Sequence, residues 1–171
     1  MNSSKPVPML DTRAQMAPIR AELDAAIARV LDHGVFILGP EVKQFEDAVA
    51  AYCGTKHAIG CGSGSDALLL PLLALDVKPG DLVVTTSYTF FATAGSIVRA
   101  GAQPVFVDID RATYNLDPTL LNATLADMSD ERRARVRAII PVHLYGQCAD
   151  MPRILAGAKQ YEIPGIEDAA R

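Results

Sequence analysis

The sequence predicts an α/β fold, a mostly parallel sheet with helices on both faces, and three observations predict it. Five short apolar runs recur after Lys56. They are too continuously apolar to leave one face in water, which suits strands covered on both sides. Longer stretches of helical character separate them, the arrangement of crossovers that join parallel strands.

Two helices precede the sheet. In the first, Ile19, Leu23, Ile27 and Val30 recur at helical spacing, and Gly34 supplies a stop after His33. In the second, begun by Pro40, Val42, Phe45, Val49 and Tyr52 share a face and Gly54 closes the pattern. The short apolar link Phe36-Ile37-Leu38-Gly39 joins them. The predicted strands are 58–61, 82–85, 104–108, 138–143 and 165–168, and the predicted helices between them are 65–75, 90–100, 118–128 and 151–160. Asp117 before Pro118 is a start signal, a capping side chain and then a residue whose missing N–H is harmless in the first turn. Pro71 interrupts the helix over 65–75 and predicts a kink there. The expected organisation is a helical segment over 1–55 and a sheet domain over 56–171, with no internal repeat, low-complexity tract or linker.

Half of the 171 residues are hydrophobic and 21% are charged, enough to bury a core. A net charge of -4 and a pI near 5.3 give no chain-wide attraction to nucleic acid or anionic membranes. The basic run Arg132-Arg133-Ala134-Arg135-Val136-Arg137 is flanked by Asp127, Asp130 and Glu131, and reads as a solvated face ahead of a strand. Cys53, Cys61 and Cys148 form no CxxC pair, which suits free thiols in a reducing compartment. No stretch approaches the ~20 apolar residues that span a bilayer. The expectation is a cytoplasmic protein with neither nucleic-acid nor membrane partner, and no metal-ligand spacing is present.

The segment Gly60-Cys61-Gly62-Ser63-Gly64-Ser65-Asp66 stands where the first run ends and a strongly apolar helix begins. Glycines allow close approach, and the free N–H groups and dipole of a helix N-terminus favour an anion such as phosphate. Any strand-to-helix turn also uses Gly and Ser, so a phosphate cradle and an ordinary turn both stand on this segment alone. It is not a dinucleotide or nucleoside-triphosphate signature, since neither GxGxxG with an acidic ribose partner nor Gly-Lys-Ser/Thr is present. By residue type alone, Phe90 is a core aromatic beginning a helix, His143 a rim residue at a strand end, and Asp168 a generic acid at the carboxyl end of a strand. His33 and His57 have no partners in the sequence and read as surface residues.

Read together and in order, seven segments resemble the DegT/StrS-type family of sugar aminotransferases, and the resemblance covers nearly the whole chain. They are Phe36-Ile37-Leu38-Gly39-Pro40-Glu41, Ser63-Gly64-Ser65-Asp66-Ala67-Leu68, Lys78-Pro79-Gly80-Asp81, Tyr88-Thr89-Phe90-Phe91-Ala92-Thr93-Ala94, Gly101-Ala102-Gln103-Pro104-Val105-Phe106-Val107-Asp108, Val142-His143-Leu144-Tyr145-Gly146-Gln147, and Ile166-Glu167-Asp168-Ala169-Ala170. The resemblance implies that 56–171 is part of a fold-type I large domain that binds pyridoxal 5'-phosphate. Gly64 and Ser65 fall at the family's phosphate turn, with Ser65 where threonine is usual. Phe90 falls where an aromatic ring stacks on the cofactor, and Asp168 where an aspartate pairs with the pyridine nitrogen and keeps it protonated. His143 lies near the cofactor ring by its place in the fold, and Glu167 is structural.

The reaction implied moves an amino group from an amino acid, glutamate in the main reading, to a keto sugar carried on a nucleotide, in a homodimer with shared active sites. In the family the Schiff-base lysine follows the aspartate strand, whereas this sequence reaches Arg171 three residues after Asp168. Lys5, Lys43, Lys56, Lys78 and Lys159 sit in other contexts. The expectation is therefore a chain that lacks its own catalytic lysine, the rest of the large domain and the C-terminal domain, and that gives no turnover alone. Arg171 stands where the family has glutamine or histidine. Uncovered strand edges and apolar faces predict poor solubility or marginal stability. The alternatives are a related dehydratase with histidine in place of lysine, a non-catalytic binding or regulatory protein, half of a split enzyme, or a plain nucleotide-binding module.

Overall fold

A computed structural model describes residues 7–170, so Lys5 and Arg171 lie outside the described residues. These fall into two compact units on either side of the Gly60–Cys61 bond.

The first unit is helical. A short helix α1 (Thr12–Met16) and a 3-10 turn (Ala17–Ile19), neither of which the apolar pattern signals, lead into α2 (Arg20–His33), and α3 (Pro40–Cys53) follows. The glycines that close α2 and α3 adopt the left-handed conformation, Gly34 at φ 70° and Gly54 at φ 66°. His33 is exposed, as expected, but partnered: its Nε2 lies 3.1 Å from Glu41 Oε1, and its Nδ1 accepts the Val35 N–H at 3.0 Å. The Glu41 carboxyl is held below its ordinary range by its own backbone N–H and then by His33. The predicted strand over 58–61 does not form. A strand exists by pairing, and among the described residues nothing runs alongside this segment. Ile59 is 80% exposed, and the Gly60 N–H donates to the Glu46 carboxylate at 2.7 Å instead.

The second unit is the predicted parallel sheet. Strands β1 (Leu82–Thr86), β2 (Gln103–Val107) and β3 (Val136–Ile140) lie in the order β2-β1-β3, all parallel. The last predicted strand runs along the far side of β3 as two parallel bridges, Ile139 with Gly165 and Val142 with Asp168. Four backbone bonds of 2.9 to 3.0 Å, among them Asp168 N–H to Pro141 and His143 N–H to Asp168, fix it there.

Side chains on β1 alternate strictly. Leu82 and Val84 face a core shared with helices α6 (Pro118–Asp127) and α8 (Met151–Lys159), while Val83 faces a core shared with α4 (Gly64–Ala74) and α5 (Phe91–Arg99). β3 needs a bulge to match. Leu82 pairs with Val136 but Val83 pairs with Ala138, so Arg137 is an extra residue. Its side chain leaves the sheet and donates to the Leu75 carbonyl.

The basic run is largely exposed, as predicted, and also carries structural contacts. A four-residue helix α7 (Asp130–Arg133) presents Arg133 to the carbonyls of Leu125 and Met128, both at 3.0 Å, and over the Tyr161 ring at 4.9 Å. Arg135 donates to the Gly80 carbonyl. Pro71 does not interrupt α4, which continues through it to Ala74.

Candidate functional site

The carboxyl ends of parallel strands are where loops can gather functional groups around one crevice. Three elements meet at that edge. β1 ends at Thr86, a four-residue loop follows, and Phe90 is the extended residue (φ -73°, ψ 152°) from which α5 springs. At the start of α4, Ser63 is the cap: its Oγ accepts the Asp66 N–H at 3.2 Å and donates to the Asp66 carboxylate at 2.9 Å. Gly64 and Ser65 are then the first two helical residues, whose N–H groups have no partner within the helix. The third element is the 164–170 segment, with Asp168 3% exposed.

These elements touch through specific groups. A Cβ placed on Gly64 would lie 3.5 Å from the Ala170 methyl, so the first turn of α4 rests against the residues after Asp168. Ser96, in the middle of α5, has its Oγ 3.2 Å from the Ser65 carbonyl, which sets α5 against the first turn of α4. Thr93, in the first turn of α5 and fully buried, donates to Asp168 Oδ2 at 2.7 Å, and the Thr89 and Thr93 hydroxyls are 2.9 Å apart. The second carboxylate oxygen, Oδ1, accepts the Ala170 N–H at 3.3 Å. Among the described residues, no Lys, Arg or His pairs with Asp168.

Thus the first turn of α4, with Gly64 and Ser65, and the segment carrying Asp168 are brought together, and Phe90 begins the helix whose Thr93 holds Asp168. His143 lies on the same edge, but its ring turns to other partners. A backbone N–H can only donate, so Ala149 N–H at 3.2 Å fixes Nδ1 as the acceptor, and Nε2 carries the proton that bonds Glu167 at 2.8 Å. Beside Phe90 opens a cleft of about 230 Å³ lined by Tyr88, Thr89, Phe90, Leu144 and Tyr145. The Tyr88 and Tyr145 hydroxyls are 3.5 Å apart, and that contact holds the Tyr88 phenol above its ordinary range.

Sequence reasoning missed Thr93 as a partner of Asp168, although Thr93 lies inside the Thr89 to Ala94 segment. The one signal was its position, three residues after the helix-capping Phe90. It also missed Asn115, buried, which donates to the Gln147 carbonyl at 3.0 Å and accepts the Leu144 N–H at 3.1 Å, pinning the loop that carries Tyr145.

Residues 18–171 match the model of the DegT/DnrJ/EryC1/StrS aminotransferase family. The chain is 50% identical over 165 residues to a UDP-2-acetamido-2-deoxy-3-oxo-D-glucuronate aminotransferase of Pseudomonas aeruginosa, covering 96% of this chain and 44% of that protein. Among solved structures, it is similar to Streptomyces venezuelae DesV in complex with a ketimine intermediate, at TM-score 0.89 and 44% identity, over 98% of this chain and 43% of that one. It is similar as well to Bacillus subtilis NtdA with bound cofactor PMP, at TM-score 0.86 and 31% identity, over 99% of this chain and 38% of that one. The fold is that of fold-type I sugar aminotransferases, and the chain spans less than half the length of these relatives.

Proposed function

The chain belongs to the DegT/DnrJ/EryC1/StrS aminotransferase family, and from that premise we propose that residues 61–170 hold pyridoxal 5'-phosphate for amino transfer to a sugar. The single observation that carries this is Asp168: a carboxyl 3% exposed, hydrogen-bonded on both oxygens, yet without a cationic partner among the described residues. A buried carboxylate of that kind is costly unless something positive meets it. A protonated pyridine nitrogen is such a group, and the residues around Asp168 fit the rest of the cofactor.

When bound, pyridoxal phosphate supplies an electron sink for chemistry at the amino-bearing carbon. The residues of this chain supply the setting. Asp168 holds the proton on the ring nitrogen. The N–H groups of Gly64 and Ser65, at the positive end of α4, take the phosphate, and the Ser65 hydroxyl is a further donor. Phe90 covers one ring face and excludes water from it. His143 shapes the rim by holding the 143–149 loop through Ala149. By the family resemblance, the substrate pair is a nucleotide-linked keto sugar and an amino-acid donor, glutamate in this reading, in a homodimeric cytoplasmic enzyme. Lys78 precedes β1, at the sheet end opposite Asp168, and is paired with Asp76. With the family's Schiff-base lysine expected after the Asp168 strand, residues 1–171 alone are expected to give no turnover.

Equilibrium dialysis tests the site. The chain is expected to bind pyridoxal 5'-phosphate, and Asp168→Ala to weaken binding at least about tenfold, the scale of a lost charge-assisted hydrogen bond. Equal affinity in Asp168→Ala would sink the assignment. Product from the chain mixed with cofactor, glutamate and a nucleotide-linked keto sugar would refute the lack of turnover.

A further inference from the structure

We infer that Thr89 and Thr93 form a one-way hydroxyl relay that positions Asp168 for the cofactor's ring nitrogen, an inference that rests on the cofactor reading above. The direction of the relay follows from donor chemistry. A carboxylate oxygen accepts, so Thr93 Oγ1 gives its proton to Asp168 Oδ2 at 2.7 Å. With that proton committed, Thr93 Oγ1 accepts from Thr89 across 2.9 Å. Thr89 is the outer end of the chain, and it also lines the cleft beside Phe90.

A comparison inside the same helix shows that this arrangement is a departure from the ordinary one. Helical Ser and Thr hydroxyls usually return to the carbonyl one turn back. Ser96 does so, donating to the Ala92 carbonyl at 2.7 Å. Thr93, one turn earlier, sends its proton across to the 164–170 segment instead. Thr93 is fully buried and Asp168 3% exposed, so no solvent competes for the bond. Thr93 is β-branched, with few side-chain conformations, and its helix packs against α4 through the core that holds Leu68, Leu72 and Ile97. Oδ2 is thereby tied to a rigid element, and the carboxylate plane is set with Oδ1 accepting the Ala170 N–H at 3.3 Å. Among the described residues that is its one hydrogen bond, which leaves lone-pair capacity for a ligand. Thr89 and Thr93 are positioning residues, acting through Asp168.

The test compares two probes on the full 171-residue chain: pyridoxal 5'-phosphate and its 1-deaza analogue, in which C–H replaces the ring nitrogen. Dissociation constants from equilibrium dialysis are measured for the wild type, Thr93→Val, Thr93→Ser and Thr89→Val, with thermal melts as a check on folding. The wild type is expected to prefer the nitrogen-bearing probe by about tenfold or more. Thr93→Val, similar in shape but without the hydroxyl, is expected to lose most of that preference. Thr93→Ser restores it, and Thr89→Val reduces it in part. A purely structural role for Thr93 would weaken both probes alike, and that result overturns the relay. So does a preference that survives Thr93→Val. Should Thr93→Val fail to melt cooperatively, Thr89→Val decides, and an unchanged preference there also overturns the relay. A wild type that binds neither probe overturns the cofactor reading itself, an outcome distinct from equal weakening.

Discussion

Asn115 is 2% exposed, and both ends of its amide are in use, Nδ2 on the Gln147 carbonyl and Oδ1 on the Leu144 N–H. It fastens the loop after β2 to the loop after β3. The same loop is organised from its other side by Asp110, whose carboxyl is held below its ordinary range by the N–H groups of Thr113 and Ala112. Removing a buried amide leaves two backbone groups unpaired, and each such loss costs about 1–3 kcal/mol. Asn115→Ala is expected to lower unfolding free energy by about 2–4 kcal/mol on that scale, read as a shift of the urea midpoint at constant slope. A midpoint within error of wild type would show that the two loops hold without it.

The contact between α6 and α8 turns on one missing methyl group. A Cβ on Gly157 would stand 1.8 Å from Asn122 Oδ1 and 2.8 Å from its Cγ. Gly157→Ala therefore pushes the end of the exposed Asn122 side chain aside, and is expected to destabilise by no more than about 1 kcal/mol, part of it offset by alanine's better helix propensity. In Gly157→Ala with Asn122→Ala the obstacle is gone, and stability is expected to return to the wild-type level or above. Additive losses in the urea midpoints of this double-mutant cycle would contradict the packing argument. The elements themselves were largely legible in the sequence, because caps and periodicity are local. Asp117, Gly34 and Gly54 mark boundaries where the structure has them. The misses come from partners distant in sequence. Residues 58–61 are apolar enough for a strand but find nothing to pair with among the described residues. The third strand starts two residues earlier than its apolar run suggested, since Val136 is drawn inward while the bulged Arg137 turns out. At the site, the positions of Asp168, Gly64 and Phe90 were readable from motifs. Thr93 was not, because a hydroxyl in a first helical turn gives no hint that its acceptor lies 75 residues away.

Over the whole molecule, large apolar side chains remain on the surface: Phe36, Ile37 and Leu38 in the first unit, Phe91, Val98 and Phe106 in the second. β2 is the outer strand of the sheet, and Phe106 on it is exposed. Unpaired edges and apolar patches of this kind favour association. Sedimentation of the purified chain is expected to show species larger than monomer, with the proportion rising with concentration. A single monomeric boundary together with a cooperative melt would contradict this. None of the described helices is long and apolar enough to cross a membrane.

The supernumerary Arg137 is absorbed where it stands. Because Leu82 pairs with Val136 and Val83 with Ala138, the register beyond the bulge is the one an unbulged strand would have, and the chain carrying Asp168 takes its place from that undisturbed part of β3. Deleting Arg137 would straighten the entry of β3 and remove the donor from the Leu75 carbonyl, while leaving Thr93 and Asp168 in reach of each other.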